Sequence, residues 1–174
     1  MLQKNKGILY LLITTLIVLL SGCNNSGKLV KNNYFLPLHG ESQTWSLTGY
    51  EVMITPENFK AGNGTLKMKN EEKYLSDFFQ FETHAVINNE DFTVHSNSIE
   101  FSSPETGDGI DIAEITTGAI ESGKYLNEKG DPISLKEVNV IYMIVKWRDI
   151  NKGAYANERI DLFVKPNKEE TFLN

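Results

Sequence analysis

From Phe79 to Ile87 the side chains sort into two sets. Phe79, Phe81, Thr83, Ala85 and Ile87 fall on one side, and Gln80, Glu82 and His84 fall on the other. A repeat of two suits an extended strand with one face in a core and the other in solvent. Val138 to Trp147 (VNVIYMIVKW) is apolar on both sides and rich in β-branched and aromatic residues. That predicts a central strand covered on two sides. Trp45-Ser46-Leu47 alternates, and Tyr50 to Ile54 alternates in the opposite phase, with Gly49 placed to form a bulge between them. Gly62-Asn63-Gly64 predicts a turn before Thr65 to Met68. Phe92 to His95 and Ser98 to Phe101 predict two short strands, and Ile110 to Ile115 another. After a polar loop from Arg148 to Ala156, Glu158 to Lys165 closes a terminal hairpin. Asn70 to Lys73 suits either a short capped helix or a hairpin turn between Met68 and Tyr74, and the hairpin is preferred. The sum is a mainly β chain forming an antiparallel β-sandwich of immunoglobulin-like architecture, without the cysteine pair of antibody domains.

The N-terminus has a different pattern. Lys4 and Lys6 precede an uncharged run of 14 residues, Gly7 to Leu20. As a helix that run reaches about 21 Å, short of the roughly 30 Å of a bilayer core but right for the apolar part of a signal peptide. It is followed by Leu20-Ser21-Gly22-Cys23, which resembles a bacterial lipobox. The resemblance implies a signal helix cleaved between Gly22 and Cys23, with diacylglyceryl and palmitate-type acyl chains on Cys23. Two such chains suffice for stable anchoring. The expected organisation is a signal peptide over 1–22, a lipidated cysteine and flexible tether over 23–39, and one β-sandwich domain over 40–174. The folded part is expected to begin near Tyr34.

Composition narrows the function. Removal of residues 1–22 leaves 152 residues and takes the formal charge from −6 to −8. One domain of that size buries roughly two-thirds of its unfolded surface. Its acidity argues against nucleic acid as a partner. Cys23 is the only cysteine, so its lipidation leaves no thiol for catalysis, disulfides or metal binding.

Gly40-Glu41-Ser42, Trp45, Tyr50-Glu51-Val52, Gly64-Thr65-Leu66, Gly107-Asp108-Gly109 and Val145-Lys146-Trp147 occur in an order that resembles a group of uncharacterised lipoproteins from Gram-positive bacteria. The likeness covers roughly Gly40 to Val164. It implies a small β-sandwich on a lipid anchor and implies no reaction. In similar sequences a short basic turn follows the late tryptophan, and here Arg148 to Ala156 is longer.

Possible sites are weighed on their chemistry. His39, His84 and His95 would have to converge with a carboxylate to hold a metal. His84 and His95 meet only if their strands pair, so no metal site is expected. Glu105 to Asp111 is acidic and glycine-rich but lacks the ligand order of a calcium loop. Asp108 with Asp111, or Glu71 with Glu72, are the carboxylate pairs open to glycoside hydrolysis. Gly40 to Thr44 is not a serine-nucleophile elbow, and Gly62 to Gly64 lacks the lysine of a phosphate loop. Asn63-Gly64-Thr65 matches a glycosylation sequon, idle in a bacterium. Most aromatics suit a core, with Tyr155 the exception.

The expectation is a lipid-anchored, extracytoplasmic binding domain at the membrane–wall interface, without catalysis and without a cofactor. Its partner is the membrane through the anchor, together with a wall or protein partner. The candidate binding loops are Gly107 to Ile110, with Gly107, Asp108 and Gly109, and Arg148 to Ala156, with Tyr155. A wall hydrolase with paired carboxylates and a structural lipoprotein of a membrane complex are the alternatives. The hydrolase would need a cleft holding two converging carboxylates. The structural role would need an apolar patch on one sheet face.

Overall fold

A computed structural model describes residues 33–101, 109–149 and 152–166. The lipobox residues Leu20, Ser21, Gly22 and Cys23 lie outside the described residues, as do Gly107 and Asp108. So does the expected signal helix. The described elements belong to one compact unit, Asn32–Asn174. Among them no helix is long and apolar enough to cross a membrane.

Two antiparallel sheets form a sandwich. The second sheet has β6 (Phe78–Ile87), β7 (Glu90–Glu100), β11 (Val138–Asp149) and β12 (Ala154–Val164) in the order β12-β11-β6-β7, with one register shift in each pairing. In the first sheet, β1 (Tyr34–Glu41) pairs with one side of β2 (Trp45–Ile54). The other side of β2 takes β3 (Phe59–Gly62) and β4 (Thr65–Met68) end to end. A ribbon of β5 (Leu75–Ser76) and β8 (Ile110–Asp111) stands apart. Beyond β4 and β3 lie β9 (Glu114–Thr116) and β10 (Ala119–Ser122), again end to end.

The β6 alternation is present residue for residue: Phe79, Phe81, Thr83, Ala85 and Ile87 are buried and their neighbours are half-buried. β11 is central in its sheet, between β12 and β6. Its inner face is core, with Ile141, Met143, Val145 and Trp147. Among the described residues no further layer covers its outer face, contrary to the expected cover on two sides. There Tyr142 stacks on His84 at 4.9 Å, and the Arg159 guanidinium lies 3.8 Å from the Tyr142 ring centre. Long side chains of adjacent strands thus give the half-burial that the apolar sequence asks for.

The first sheet has a crease. Its irregularities fall at one level on every strand: the β1 register shift between Leu38 and Gly40, then Gly49, then Gly62 to Gly64, then Thr117-Gly118. The pairing of β2 with β3 and with β4 keeps one register across the break. Gly62-Asn63-Gly64 is therefore not a turn between hairpin strands but a kink in one strand line. The crease switches inward phase, so that Trp45 and Leu47 before it and Tyr50, Val52 and Ile54 after it all reach the core. Backbone groups freed there are paired across the break. Asn63 N–H donates to Gly118 O at 2.7 Å, Thr117 N–H to Gly64 O at 2.8 Å, and Gly64 N–H to Thr117 Oγ1 at 3.0 Å.

A buried polar bridge crosses the sandwich next to the crease. Tyr50 Oη lies 2.9 Å from Thr83 Oγ1 and 2.9 Å from His95 Nδ1 on the opposite sheet. Burial pushes the Tyr50 phenol well above its ordinary pKa. It pushes the His95 imidazole below its own, against a hydrogen bond with the Thr117 backbone.

Other expectations shift. β1 starts at Tyr34, so residues 34–39 are strand rather than tether. Phe92 to His95 and Ser98 to Glu100 are parts of one strand, β7, with Phe101 just past its end; the strand is entered through a two-residue turn at Asn88 and Asn89 with φ of 52° and 68°. The segment from Ile110 to Ile115 is split between β8 and β9. Asn70 to Lys73 forms neither a helix nor a hairpin. Asn70 takes a φ of 63°, and the chain passes from β4 in the first sheet to the β5 ribbon and β6. The Arg148 to Ala156 loop is shorter than expected, because β11 runs to Asp149 and β12 starts at Ala154.

Candidate functional site

The β11–β12 turn helps build a cleft of about 520 Å³ at one end of the sandwich. Trp147 and Asp149 come from the end of β11, and Ala156 to Glu158 from the start of β12. Met68 ends β4 and Lys69 to Glu71 follow it, Gln43 and Thr44 precede β2, and Tyr74 and Lys152 complete the lining. Strand alternation explains the apolar floor: Met68 is the last inward residue of β4, Trp147 is the last inward apolar residue of β11 before Asp149, and both are almost wholly buried. Under them Trp45 packs on Trp147 and Phe79, each at 5.6 Å between ring centres.

A carboxylate clamp closes one wall. Glu158 accepts from Thr44 N–H at 2.8 Å and from Thr44 Oγ1 at 2.6 Å, so both of its oxygens are engaged. Burial pushes the Glu158 carboxyl up, but hydrogen bonds from Ser42 and Thr44 bring it below its ordinary pKa. Asp149 accepts from Tyr74 Oη at 2.9 Å, and Lys152 Nζ lies 3.1 Å from its other oxygen. Those contacts, Lys152 first and Tyr74 second, hold the Asp149 carboxyl low as well. Lys69 Nζ donates to Glu41 Oε2 at 2.6 Å and to Ser42 O at 2.8 Å. Gln43, Asn70 and Glu71 line the cleft as exposed residues.

Glycoside hydrolysis by two carboxyls needs one whose pKa is raised to donate a proton. Asp149 and Glu158 are both held as carboxylates by internal donors. They are suited to fixing the cleft's shape.

Of the sequence candidates, Tyr155 is strongly exposed, at 69%. It is a strand residue, its ring edge-on to Phe78 with 5.3 Å between ring centres. Alternation along β12 puts it on the outer face, so it stands outside the cleft that its neighbour Ala156 lines. Gly109 is tightly packed, since a Cβ there would lie 2.9 Å from Ser76 O. His84 and His95 do sit on paired strands, but they face opposite ways. His84 bonds Asp91 at 3.0 Å on the outside, and His95 is in the core. Among the described residues no three histidine, cysteine, aspartate or glutamate side chains group as a metal site. Asp111 is occupied by Tyr74 N–H and Ala113 N–H.

A second concavity lies on the first sheet, a groove of about 340 Å³ lined by Phe35, Met53, Ala61 and Ile120 and flanked by Lys60 and Glu121. Sequence reasoning missed both concavities. The cleft joins segments more than 100 residues apart, and only the pairing of sheets brings them together. No family model, curated protein or solved structure matches this chain.

Proposed function

We propose that the chain is a lipid-anchored, extracytoplasmic binding domain, held to the membrane at Cys23, that takes its ligand in the cleft beside Trp147. The observation that carries the binding role is the cleft itself, with an apolar floor, polar walls and two of its three carboxylates, Asp149 and Glu158, already committed to structural hydrogen bonds. Ligand sites have this make-up, largely preformed with a few placed polar groups. The anchor rests on the charged, apolar and Leu20–Cys23 pattern of the N-terminus. Its test is lipid incorporation in a bacterial host. The wild-type chain is expected to take up labelled palmitate and shift to the mass of the processed form. Cys23→Ala should do neither. A Cys23→Ala chain that matures to the same mass and stays on the membrane overturns the anchor.

A second reading, an assembly lipoprotein of a membrane complex, is favoured by one observation. The groove on the first sheet presents Phe35 at 53% exposure and Ile120 at 44%, the kind of patch that partner proteins cover.

A further inference from the structure

We infer that the ligand of the cleft is an uncharged saccharide chain bearing N-acetyl groups, an inference that rests on the cleft being the binding site. The charged groups lining the cleft are mostly engaged from within. Glu158 is spent on Thr44, Asp149 on Tyr74 and Lys152, and Lys69 on Glu41. An ionic ligand would have to break these pairs. Glu71 is the lining carboxylate with no hydrogen bond or ion pair among the described residues, and an unpaired anion at the wall opposes anionic ligands, as does the net acidity of the chain.

Apart from Glu71, what remains free is neutral. The carboxamides of Gln43 and Asn70 line the cleft and have no hydrogen-bond partner among the described residues. Each offers one acceptor and two donors side by side, a set that matches vicinal hydroxyls and the acetamido group. Part-buried Tyr74 and Ala156, with the small exposed edges of Met68 and Trp147, supply the apolar surface for the carbon face and the acetyl methyl of such a sugar. An extended peptide would instead be read by pairing along a sheet edge, whereas this cleft is walled by strand ends and turns.

The test uses the full-length chain in detergent micelles, titrated calorimetrically with the tetramer of N-acetylglucosamine. Parallel titrations use the matching glucose tetramer, a glycerol-phosphate oligomer and a short acidic peptide, and side-chain amide signals of Gln43 and Asn70 are followed by NMR. The expected result is binding of the acetylated tetramer with shifts at both carboxamides. Affinity should fall at least about tenfold for the glucose tetramer and for the Gln43→Ala/Asn70→Ala variant, with no response to the phosphate oligomer. Both substitutions are at exposed sites, and an unchanged melting temperature identifies the loss as one of contact. Binding of the peptide alone, with shifts at Gln43 and Asn70, overturns the saccharide inference and leaves the cleft as the site. Absence of shifts at the cleft with every probe overturns both.

Discussion

Trp147 belongs to two surfaces. Its indole packs edge-on against Trp45 in the core and also forms part of the cleft floor, with 5% of its surface exposed. Truncation of a buried aromatic removes both transfer energy and packing. Trp147→Ala is expected to cost about 3–5 kcal/mol in a urea titration, and a loss below about 1 kcal/mol would place Trp147 outside the core. His95 makes a pH prediction. Its imidazole is below the ordinary pKa of 6.5 in the folded state. The unfolded chain therefore takes up the proton first as pH falls, and stability is full above about 6.5 and declines below it. The lowered carboxyls of Asp91, Glu137 and Glu158 add a separate loss at lower pH, near and below their ordinary values of 3.8 to 4.5. Urea midpoints measured from pH 8 to pH 5 should fall, and His95→Gln should flatten that slope. An unchanged slope in the variant contradicts the assignment to His95.

At the scale of elements, the crease decides which strands can be read from sequence. β6 is legible because its period of two is unbroken and its partners are on both sides. The phase switch between Leu47 and Tyr50 is legible too, with Gly49 at φ 65° as its pivot. The kink from Gly62 to Gly64 is not, because glycine and asparagine serve hairpin turns and strand kinks alike. What separates the two is whether the next residues continue the same register, a property of pairing with β2. Two glycines of the crease, Gly62 and Gly118, should differ in mutation. At Gly62 an added Cβ would meet Gly118 O at 2.2 Å, with φ at 144°, while at Gly118 the space is open and only φ, at 65°, opposes a side chain. Gly62→Ala is expected to cost more than about 2 kcal/mol and Gly118→Ala about 1 kcal/mol, both read from chemical denaturation. Equal costs would mean that the close approach of β3 and β10 does not constrain the sheet.

For the whole molecule, the antiparallel sandwich was legible because its strands announce themselves locally, and the cleft was not because it is assembled from both sheets. Arg148 to Ala156 shows both sides. The segment does border the cleft, through Asp149, Lys152 and Ala156. The exposed aromatic that singled it out, Tyr155, faces away. Lipid anchoring would hold such a domain at the membrane with its cleft as the working surface, while the groove at Phe35 offers the competing surface. The direct measurement is site-specific photocrosslinking in intact cells, with the full-length chain carrying the photoreactive residue at Gln43 or at Phe35. The account predicts adducts from Gln43 that are lost when excess N-acetylglucosamine tetramer is added. Adducts from Phe35 alone would contradict it and assign the protein's binding to the outer face of the creased sheet.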